Sequence, residues 1–499
     1  MASKFAASLI RMGLRPMDVV TIILPNVPEF PIAVLGVIEA GLIASPASAL
    51  YSVDEICFQI SDSNSKCIVT NSALLPKVLE AKNKLQKSIY TICVDNSSEI
   101  SNVSNIIHFS DLVFQKLDNS FAQRAGQRIN LDDTAFLLYS SGTTGLPKGV
   151  HHTHRTLSAS IEQVSQPELS YIGETSGEHQ NVVSGMLPFA HIYSLCVVLL
   201  HSLRKGAKVV TIPKFNSETF LKLLEKYKEL VLHCVPRVLL FLANHAQVKT
   251  KHLENIRSII IGGAPCGASD IERLLRRIKI PIVKGYGMTE SSPLLTLPTL
   301  KNTDLKTIGS PVSNTLAKVV DASNKELGAG EVGEMCFKGP QVMKGYYKNP
   351  KATRETIDEG GWLHTGDMGY FNKEGTFYIV GRKKDLIKVK GFQVAPAELE
   401  ALLRNHPLVN EAGVIGVPCP VKGEKPVAFV EPKSGPNKLK PSDIKDYVAS
   451  HVIAYKWIDE VIIVDSVPRN PSGKIQHRQL AEEYKVLLSK NSHNLSTNS

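Results

Sequence analysis

The sequence predicts an α/β protein with a large N-terminal body of parallel sheets, a barrel-like subdomain and a small, mobile α+β C-terminal domain. The chain has 499 residues, more than one hydrophobic core usually serves, so at least two domains are expected. Short β-rich runs alternate with helical stretches over most of the chain, which favours parallel sheets covered by helices. Further along, strands follow one another closely, as in antiparallel sheets.

Strands of the N-terminal body are predicted where apolar, β-branched runs end in Gly, Pro or polar turns. These runs are residues 19–24, 67–70, 135–139, 209–212, 231–235, 258–261 and 282–283. Because helical stretches separate the runs, we expect neighbouring strands to lie parallel.

From about residue 317 the spacing of the strands becomes short, which predicts the barrel-like subdomain. Its strands are expected at 318–321, 334–338 and 376–380. A basic run near 382–385 marks the domain boundary, so the predicted domains are 1–383 and 384–486, followed by a disordered tail at 487–499. The small domain is predicted to contain helices 397–405 and 441–450 and strands 413–417, 427–431 and 461–464.

The composition suits a soluble enzyme. The formal charge is +10, from 57 Lys and Arg against 47 Asp and Glu, but the basic residues are scattered, so nucleic acid is not an expected partner. The eight Cys are widely spaced without a C-x-x-C pair, which predicts free thiols in a reducing compartment. The sequence does not indicate an oligomeric state.

The cytoplasm is the predicted location. No apolar stretch reaches the roughly 20 residues that a membrane-spanning helix needs. The first residues form an amphipathic segment without a signal-peptide cleavage site. The last residues do not form a Ser-Lys-Leu signal, so peroxisomal import is not favoured.

A phosphate-binding loop is predicted at 139–149, Tyr-Ser-Ser-Gly-Thr-Thr-Gly-Leu-Pro-Lys-Gly, directly after an apolar strand. Small residues let the backbone surround a phosphate, hydroxyl and N–H groups donate to its oxygens, and a lysine supplies charge. The loop is not of the Walker type, because Pro147 stands where the second Gly would be. The alternative is an ordinary Ser- and Gly-rich surface loop. The predicted ligands are Ser140, Ser141, Gly142, Thr143, Thr144 and Lys148.

Four further segments occur in a fixed order: Gly-Tyr-Gly-Met-Thr-Glu at 285–290, Gly-Trp-Leu-His-Thr-Gly-Asp at 361–367, a basic segment at 381–398 and Pro-Arg-Asn-Pro-Ser-Gly-Lys at 468–474. With the loop they resemble the acyl-adenylate-forming superfamily of acyl-CoA synthetases, 4-coumarate:CoA ligases and luciferases. The 4-coumarate:CoA ligase-like proteins are the most similar group. The resemblance implies ATP, Mg²⁺ and coenzyme A as cofactors and a carboxylic acid as substrate.

Transferred to matching positions, the resemblance implies that Thr289 contacts the α-phosphate, that Glu290 binds Mg²⁺ and that Tyr286 stacks on adenine. Asp367 and Arg382 would bind the ribose, although each could instead cap a turn or form a surface pair. The remaining residues implied to bind nucleotide are Gly262, Gly263, Ala264, Lys284 and Gly285.

The resemblance also implies a mobile half of the site. Lys474 would lie between the attacking carboxylate and the α-phosphate, where a cation offsets the repulsion of two anions. Lys384 would be the hinge of the small domain. The residues implied to contact the adenylate or to line the path of coenzyme A are Lys388, Gln393, Lys390, Gly391 and Lys214. Without the motif, these lysines would be read as ordinary basic surface.

The acyl end is expected at 187–193, Leu-Pro-Phe-Ala-His-Ile-Tyr, which resembles the segment that places His191 and Tyr193 against the acid. His191 could equally be a core histidine. Ile260, Leu294 and Leu295 would form an apolar pocket, which favours a fatty or aryl-propenoic acid over a hydroxycinnamate. Histidines 151, 152 and 154 follow the loop, but no Cys or carboxylate stands at ligand spacing, so a metal site is not favoured.

Two other functions remain open at this point. A luciferase-like monooxygenase would share the nucleotide motifs, and a silent relative could bind nucleotide or acyl group without catalysis. The first residues resemble the middle of a helix that relatives precede with a strand and a helix, so exposed apolar surface and lowered stability are expected there.

Overall fold

The computed structural model describes residues 1–499 except 96–104, 115–128, 141–146, 178, 391, 434–438, 470–472 and 497–499. For residues 490–496 it describes the backbone only. The predicted fold class is confirmed.

The first sheet of the N-terminal body is mainly parallel, with strand order β18-β7-β6-β2-β1-β3-β4-β5. Its strands are β1 Val19–Ile23, β2 Ile43–Ala47, β3 Cys67–Thr70, β4 Tyr90–Cys93, β5 Ile106–His108, β6 Thr134–Ser140, β7 Lys148–Thr153 and, from later in the chain, β18 Gly345–Tyr346. Strand β7 runs antiparallel to both of its neighbours, β6 and β18.

The second sheet is parallel throughout, with strand order β12-β11-β10-β8-β9. Its strands are β8 Val182–Gly185, β9 Lys208–Thr211, β10 Leu230–Cys234, β11 Ile256–Ile261 and β12 Ile282–Lys284. All seven strands predicted for the N-terminal body lie in these two sheets within one or two residues of the predicted ends.

Helices cover both sheets. They are α1 Ala2–Arg11, α2 Glu29–Glu39, α3 Val53–Ser63, α4 Leu75–Leu85, α5 Phe109–Val113, α6 His154–Ser165, α7 His201–Arg204, α8 Ser217–Lys226, α9 Pro236–Asn244, α10 Thr250–Leu253, α11 Ala268–Leu275 and α12 Pro350–Thr356. A π-helical segment, Ser194–Leu200, leads directly into α7. The largest hydrophobic cluster takes Val20 from the first sheet, Val231 from the second and Leu195 from the π-helical segment, so both sheets share one core.

The barrel-like region consists of two antiparallel sheets around one core. A three-stranded sheet contains β13 Tyr286–Gly287, β14 Leu294–Leu297 and β15 Ser310–Pro311, and a four-stranded sheet contains β16 Leu316–Val320, β17 Gly333–Lys338, β19 Leu363–Phe371 and β20 Phe377–Arg382. A bridge between Gly309 and Phe377 joins them. The region therefore begins earlier than the predicted residue 317, because strands of only two to four residues have no readable periodicity.

The small domain has a sheet in the order β22-β21-β24-β23, with β25 beside β24. Its elements are β21 Ile387–Val389, β22 Phe392–Val394, α13 Pro396–Arg404, β23 Val409–Cys419, β24 Gly423–Pro432, α14 Pro441–His451, β25 Glu460–Ile463 and α15 His477–Ser496. Helix α15 extends through most of the tail predicted as disordered from 487. Leu480 and Tyr484 are buried on the sheet, and the following Lys-Val-Leu-Leu contains good helix formers.

The small domain is docked on the N-terminal body through a charged contact. Arg404 of α13 lies 3.7 Å from Asp270 of α11, and both side chains are largely buried. Arg404 also donates to Glu411 at 3.2 Å. In the part of the chain that the structure describes, no helix is long and apolar enough to cross a membrane.

Helix α1 is an integral part of the core. Phe5 is fully buried, and its ring centroid lies 4.8 Å from that of Phe109. Gly36 of α2 permits this packing, because a Cβ there would lie 2.8 Å from the carbonyl oxygen of Ala2 and from Cδ1 of Phe5. The helix contributes buried apolar area to the same cluster as both sheets.

We therefore expect Phe5→Ala to lower the free energy of unfolding by about 3–5 kcal/mol, because a cavity replaces a buried ring. Chemical denaturation measures the change. Phe114→Ala is the matched control, since Phe114 is 65% exposed and should change stability by less than about 0.5 kcal/mol. Equal effects of the two substitutions would contradict a structural role for α1.

Candidate active site

The ends of the predicted phosphate loop are held by an antiparallel strand pair. Ser140 at the end of β6 pairs with Lys148 at the start of β7. Ser141, Gly142, Thr143 and Thr144 lie outside the described residues, so their predicted contacts stay predictions. The Nζ atom of Lys148 lies 4.7 Å above the ring of Tyr346. Ser140 and Lys148, which flank the loop, are thus paired with each other, and Lys148 places a cation at one end.

Glu290 lies beside this loop in a buried position. Thr289 begins the short 3₁₀ helix Thr289–Ser291 that carries Glu290. The Glu290 Oε1 atom accepts hydrogen bonds from Ser140 Oγ at 3.2 Å and from the Tyr346 hydroxyl at 2.7 Å. The structure therefore brings Ser140, Lys148 and Glu290 together. Tyr346 was missed, although its position in a Gly-Tyr-Tyr run next to a strand end was a readable signal.

Glu290 fits the predicted Mg²⁺ ligand. A hard cation prefers oxygen donors, and Mg²⁺ commonly takes one or two carboxylates and completes its shell with water and substrate phosphates. Glu290 presents a carboxylate among hydroxyl groups, next to the predicted phosphate loop. The described residues contain no cluster of three or more His, Cys, Asp or Glu that could hold a metal by themselves.

Asp367 and Arg382 form an ion pair in which Asp367 is buried and Arg382 is partly exposed. Adjacent strands place them directly across from each other in the β19–β20 ladder. Arg382 Nε donates to Asp367 Oδ1 at 2.8 Å, and the Tyr286 hydroxyl donates to Oδ2 at 2.6 Å. Burial raises the pKa of Asp367, against the opposing effect of Arg382 and Tyr286. Asp367 is thus a buried, oriented acceptor and neither a turn cap nor part of a surface pair.

Lys474 comes to this pair from the small domain. Burial is the main cause that lowers the pKa of Lys474, and the positive charge of Arg382 adds to it, whereas Asp367 and Asp385 act in the opposite direction. The adjacent Gly473 has φ +84°, a conformation that glycine adopts readily. The structure therefore unites Lys474 with Asp367 and Arg382, residues separated by more than ninety positions in the sequence.

The small residues predicted to bind nucleotide, beginning with Gly262, directly follow β11. A Cβ atom added to Gly262 would lie 3.2 Å from the ring of Tyr193, and Gly263 has φ +83°, so small residues are required at both positions. Ala264 continues the same loop. The Gly285 N–H donates to the Ile261 carbonyl at 2.9 Å, which fixes the neighbouring segment. Lys284 donates to the Lys306 carbonyl at 3.2 Å and, more weakly, to that of Cys266 at 3.4 Å.

The acyl end is built around Tyr193. Its hydroxyl lies 3.1 Å from His233 Nδ1 and donates to the Ile260 carbonyl at 3.1 Å. His191 Nδ1 accepts from the Tyr193 N–H at 3.3 Å. Part of the His191 side chain is exposed to solvent, while desolvation by the surrounding protein lowers its pKa. His191 is therefore not a fully enclosed core histidine.

The predicted apolar pocket is only partly assembled. Ile260 and Leu294 belong to the cluster shared by the two large sheets. Leu295 packs instead into the barrel-like region with Phe337 and is not brought to Ile260. The reason is that consecutive residues of a strand point to opposite faces.

His233, which was not among the predicted site residues, contacts Tyr193 of the segment predicted for the acyl end. It is 1% exposed, and burial lowers its pKa to about 3. Its Nε2 atom has no hydrogen-bond partner among the described residues. It lies next to Ile260 in the β10–β11 ladder. A histidine inside the apolar run Leu-Val-Leu-His-Cys was the available signal.

The residues implied for hinge and coenzyme A lie on exposed segments. Lys384 is exposed in the turn after β20, next to Lys383, which pairs with Glu334 at 2.7 Å. Lys388 and Gln393 face each other across β21 and β22, and both are exposed. Lys390 has φ +50° in the turn between these strands, and Gly391 lies outside the described residues. Lys214 is exposed in the loop after β9.

The two domains thus contribute an aspartate–arginine ion pair and a lysine to one polar site, an arrangement suited to a nucleotide-using enzyme. The family model "AMP-binding enzyme" matches residues 1–347, and the model "AMP-binding enzyme C-terminal domain" matches residues 398–474. The chain belongs to the AMP-binding enzyme family. The predicted resemblance to acyl-adenylate-forming enzymes is confirmed.

Individual relatives agree with this assignment. The chain is 40% identical to 4-coumarate:CoA ligase 1 of Petunia hybrida over 486 residues, 96% of this chain and 86% of that protein. It is 38% identical to 4-coumarate--CoA ligase 2 of Nicotiana tabacum, with the same coverage. Among solved structures, ATP-bound MatB from Rhodopseudomonas palustris has a TM-score of 0.82 at 26% identity, covering 97% of this chain and 92% of that chain. A benzoate CoA ligase from Burkholderia xenovorans LB400 has 0.83 at 25%, covering 96% and 92%.

Proposed function

We propose that this protein is an ATP-dependent acid:CoA ligase that forms an acyl-adenylate, releases pyrophosphate and transfers the acyl group to coenzyme A. The observation that carries the proposal is the approach of Lys474, from the small domain, to the ion pair of Asp367 and Arg382. The names of the plant relatives and of the benzoate ligase support the reaction class. A luciferase-like oxygenation has no comparable support.

The two half-reactions need positioning and charge compensation, and no enzyme nucleophile. In the first, a carboxylate oxygen attacks the α-phosphorus and pyrophosphate leaves with the bonding electron pair. In the second, the coenzyme A thiolate attacks the acyl carbonyl and AMP leaves. In this role, the charge of Lys474 would offset the repulsion between carboxylate and phosphate in the first step. Mg²⁺ held at Glu290 would neutralise phosphate charge.

The nucleotide would be held by groups that are already oriented. Asp367 accepts hydrogen bonds and is fixed by Tyr286 and Arg382, so it can receive the ribose hydroxyls without reorganisation. Thr289, which begins the Glu290 turn, and Lys148, above the Tyr346 ring, would contact the phosphates. We place the activity in the cytoplasm, because the eight cysteines are all free, as a reducing compartment would keep them.

The Lys474→Ala variant tests the reaction assignment. The charge is needed when two anions meet, but not when a thiolate attacks a neutral acyl carbonyl. We expect adenylate formation to fall by roughly two orders of magnitude or more, a typical effect of losing an electrostatic contact in a transition state. Thioester formation from supplied acyl-AMP should change little. Pyrophosphate release and acyl-CoA formation are measured separately, and an equal loss of both half-reactions would contradict the role of Lys474.

The acid is proposed to be a fatty acid or an aryl-propenoic acid without a ring hydroxyl. Ile260 and Leu294 are buried apolar residues of the cluster against which Tyr193 packs, so a phenol at this place would lose hydration without a partner, at a cost of about 1–3 kcal/mol. We expect cinnamate and octanoate to exceed 4-coumarate in kcat/KM by roughly tenfold. A pyrophosphate-release screen over fatty, cinnamic and benzoic acids measures this.

The His233→Leu variant tests whether the Nε2 atom of His233 or the apolar contacts decide the preference between cinnamate and 4-coumarate. If 4-coumarate is preferred by the wild type and the preference disappears in His233→Leu, the unpartnered Nε2 atom receives the ring hydroxyl and the apolar-pocket argument is wrong. If cinnamate is preferred in both proteins, the apolar contacts decide the selectivity.

The small domain is proposed to rotate about Lys384 between the two half-reactions. In one orientation Lys474 would face the nucleotide beside Asp367 and Arg382, and after rotation the Lys390 turn would face it. Proline fixes φ near −65° and removes the N–H, so Lys384→Pro should trap one orientation. We expect pyrophosphate release to continue and conversion of the adenylate to thioester to fail.

Lys384→Ala is the control for this substitution, because it removes the charge and leaves the backbone free. Acyl-CoA formation by the Pro variant at the rate of the Ala variant would mean that rotation at this residue does not limit turnover. An equal loss of thioester formation in both variants would mean that the lysine charge, and not the rotation, matters.

A further inference from the structure

One hydrogen bond links the strand after the phosphate loop to the turn that carries Glu290. His152 lies on β7, four residues after Lys148, and is fully buried. Its Nδ1 atom lies 2.8 Å from Oγ of Ser292. Ser292 is also fully buried and directly follows the 3₁₀ helix Thr289–Ser291. Neither residue belongs to a motif of the nucleotide site, although each follows one closely in the sequence.

Ser292 has an unfavourable backbone conformation, so a contact from outside the turn is needed to stabilise it. Its φ is +58°, in the left-handed region that residues other than Gly, Asn and Asp rarely adopt. Its N–H reaches the Thr289 carbonyl only at 3.4 Å. On the other side of the turn, the Met343 N–H donates to the Glu290 carbonyl at 2.8 Å. The turn is therefore held from two sides, by Met343 and by His152.

Stability alone does not account for a histidine at position 152. The ring is enclosed in the protein interior, and its Nε2 atom has no hydrogen-bond partner among the described residues. Burying an unpaired polar atom is unfavourable compared with an apolar side chain of similar volume. The contact with Ser292 is the interaction that an apolar residue could not replace.

Strand β7 reaches the Glu290 carboxylate by three routes. Lys148 begins the strand and lies above the ring of Tyr346. Val150 pairs with Tyr346, whose hydroxyl binds Glu290. His152 binds the residue that ends the Glu290 turn. Strand β7 thus fixes the position of the Glu290 carboxylate relative to Lys148, at the end of the phosphate loop.

We propose that His152 is a positioning residue, which through Ser292 holds the Glu290 turn in register with Ser140 and Lys148 for binding of MgATP. The inference rests on the proposed function, since it assigns Glu290 to the metal of the nucleotide. His152 itself does not touch the nucleotide. Its effect is transmitted through the position of the carboxylate.

Four substitutions test the proposal. In His152→Asn the amide occupies the position of Nδ1, in His152→Gln it reaches the position of Nε2, and His152→Leu removes both. Ser292→Ala removes the partner. The first measurement is calorimetric binding of the Mg²⁺ complex of α,β-methylene-ATP, which cannot be cleaved at the α-phosphate. The second is the Mg²⁺ concentration needed for half-maximal pyrophosphate release.

We expect His152→Leu, His152→Gln and Ser292→Ala to weaken nucleotide binding and to raise the Mg²⁺ requirement by about three- to tenfold, the usual effect of one lost hydrogen bond. His152→Asn should stay close to the wild type. The double variant His152→Leu, Ser292→Ala should be no worse than either single variant, because both remove the same contact. The KM for the acid should not change.

His201→Leu is the matched control for a buried histidine. His201 is 3% exposed, its two ring nitrogens lack partners among the described residues, and it lies on α7 away from the Glu290 turn. Its substitution should leave nucleotide binding and the Mg²⁺ requirement at wild-type values. If His152→Leu shifts the melting temperature but leaves nucleotide binding and the Mg²⁺ requirement at wild-type values, the proposal is overturned.

Equal rescue by Asn and Gln would also overturn the proposal, since only one of them restores the Nδ1 contact. Failure of the proposed function is distinguishable from these outcomes. In that case the wild type would release no pyrophosphate with any acid, whereas the binding comparison between Asn and Leu variants would still report on His152.

Discussion

The site depends on a small group of charges kept in a largely buried place where two domains meet. Asp367, Arg382 and Lys474 have a net charge of +1 when all are ionised, and burial opposes the ionised forms of both Asp367 and Lys474. Breaking such a group by removing one member leaves an uncompensated charge in a poorly solvated position. The strands β19 and β20 hold the first two members, and docking of the small domain supplies the third. The arrangement is therefore sensitive to where the small domain lies.

The phosphate side of the site is positioned by strand pairing. There the anchoring element is the antiparallel pair β6 and β7 at the edge of a mainly parallel sheet. A loop between antiparallel strands has both ends fixed by ladder hydrogen bonds, so Ser140 and Lys148 keep their separation. Strand β18 then adds Tyr346 to the outer edge. Strand pairing, and not charge pairing, positions the groups on this side.

Most of the fold and much of the site could be predicted from the sequence. The apolar runs of the parallel sheets are long enough to read, and all seven lie in strands. Residues inside the motifs, such as Glu290 and Asp367, could be singled out because their segments resemble those of a known family. The short strands β13 and β15 could not be read, since two residues carry no periodicity.

What could not be predicted depends on contacts between distant segments. Ser292 lies 140 positions from His152, and nothing in either local sequence indicates their hydrogen bond. Tyr193 and His233 are joined in the same way. The position of Leu295 is a different case, because the period of two in a strand already places it opposite to Leu294. Leu294 and Leu295 are neighbours in one strand and therefore pack into different hydrophobic clusters.

The lowered pKa of Lys474 connects the charge group to the proposed rotation. A triphosphate beside Lys474 would favour the ammonium form that burial opposes, so nucleotide binding and docking of the small domain would stabilise each other. Linkage of this kind is reciprocal. Once pyrophosphate leaves, most of the compensating negative charge is gone, and the cost of a buried cation beside Arg382 returns. Departure of the product would thus weaken the docked orientation at the stage when the thioester step requires the other one.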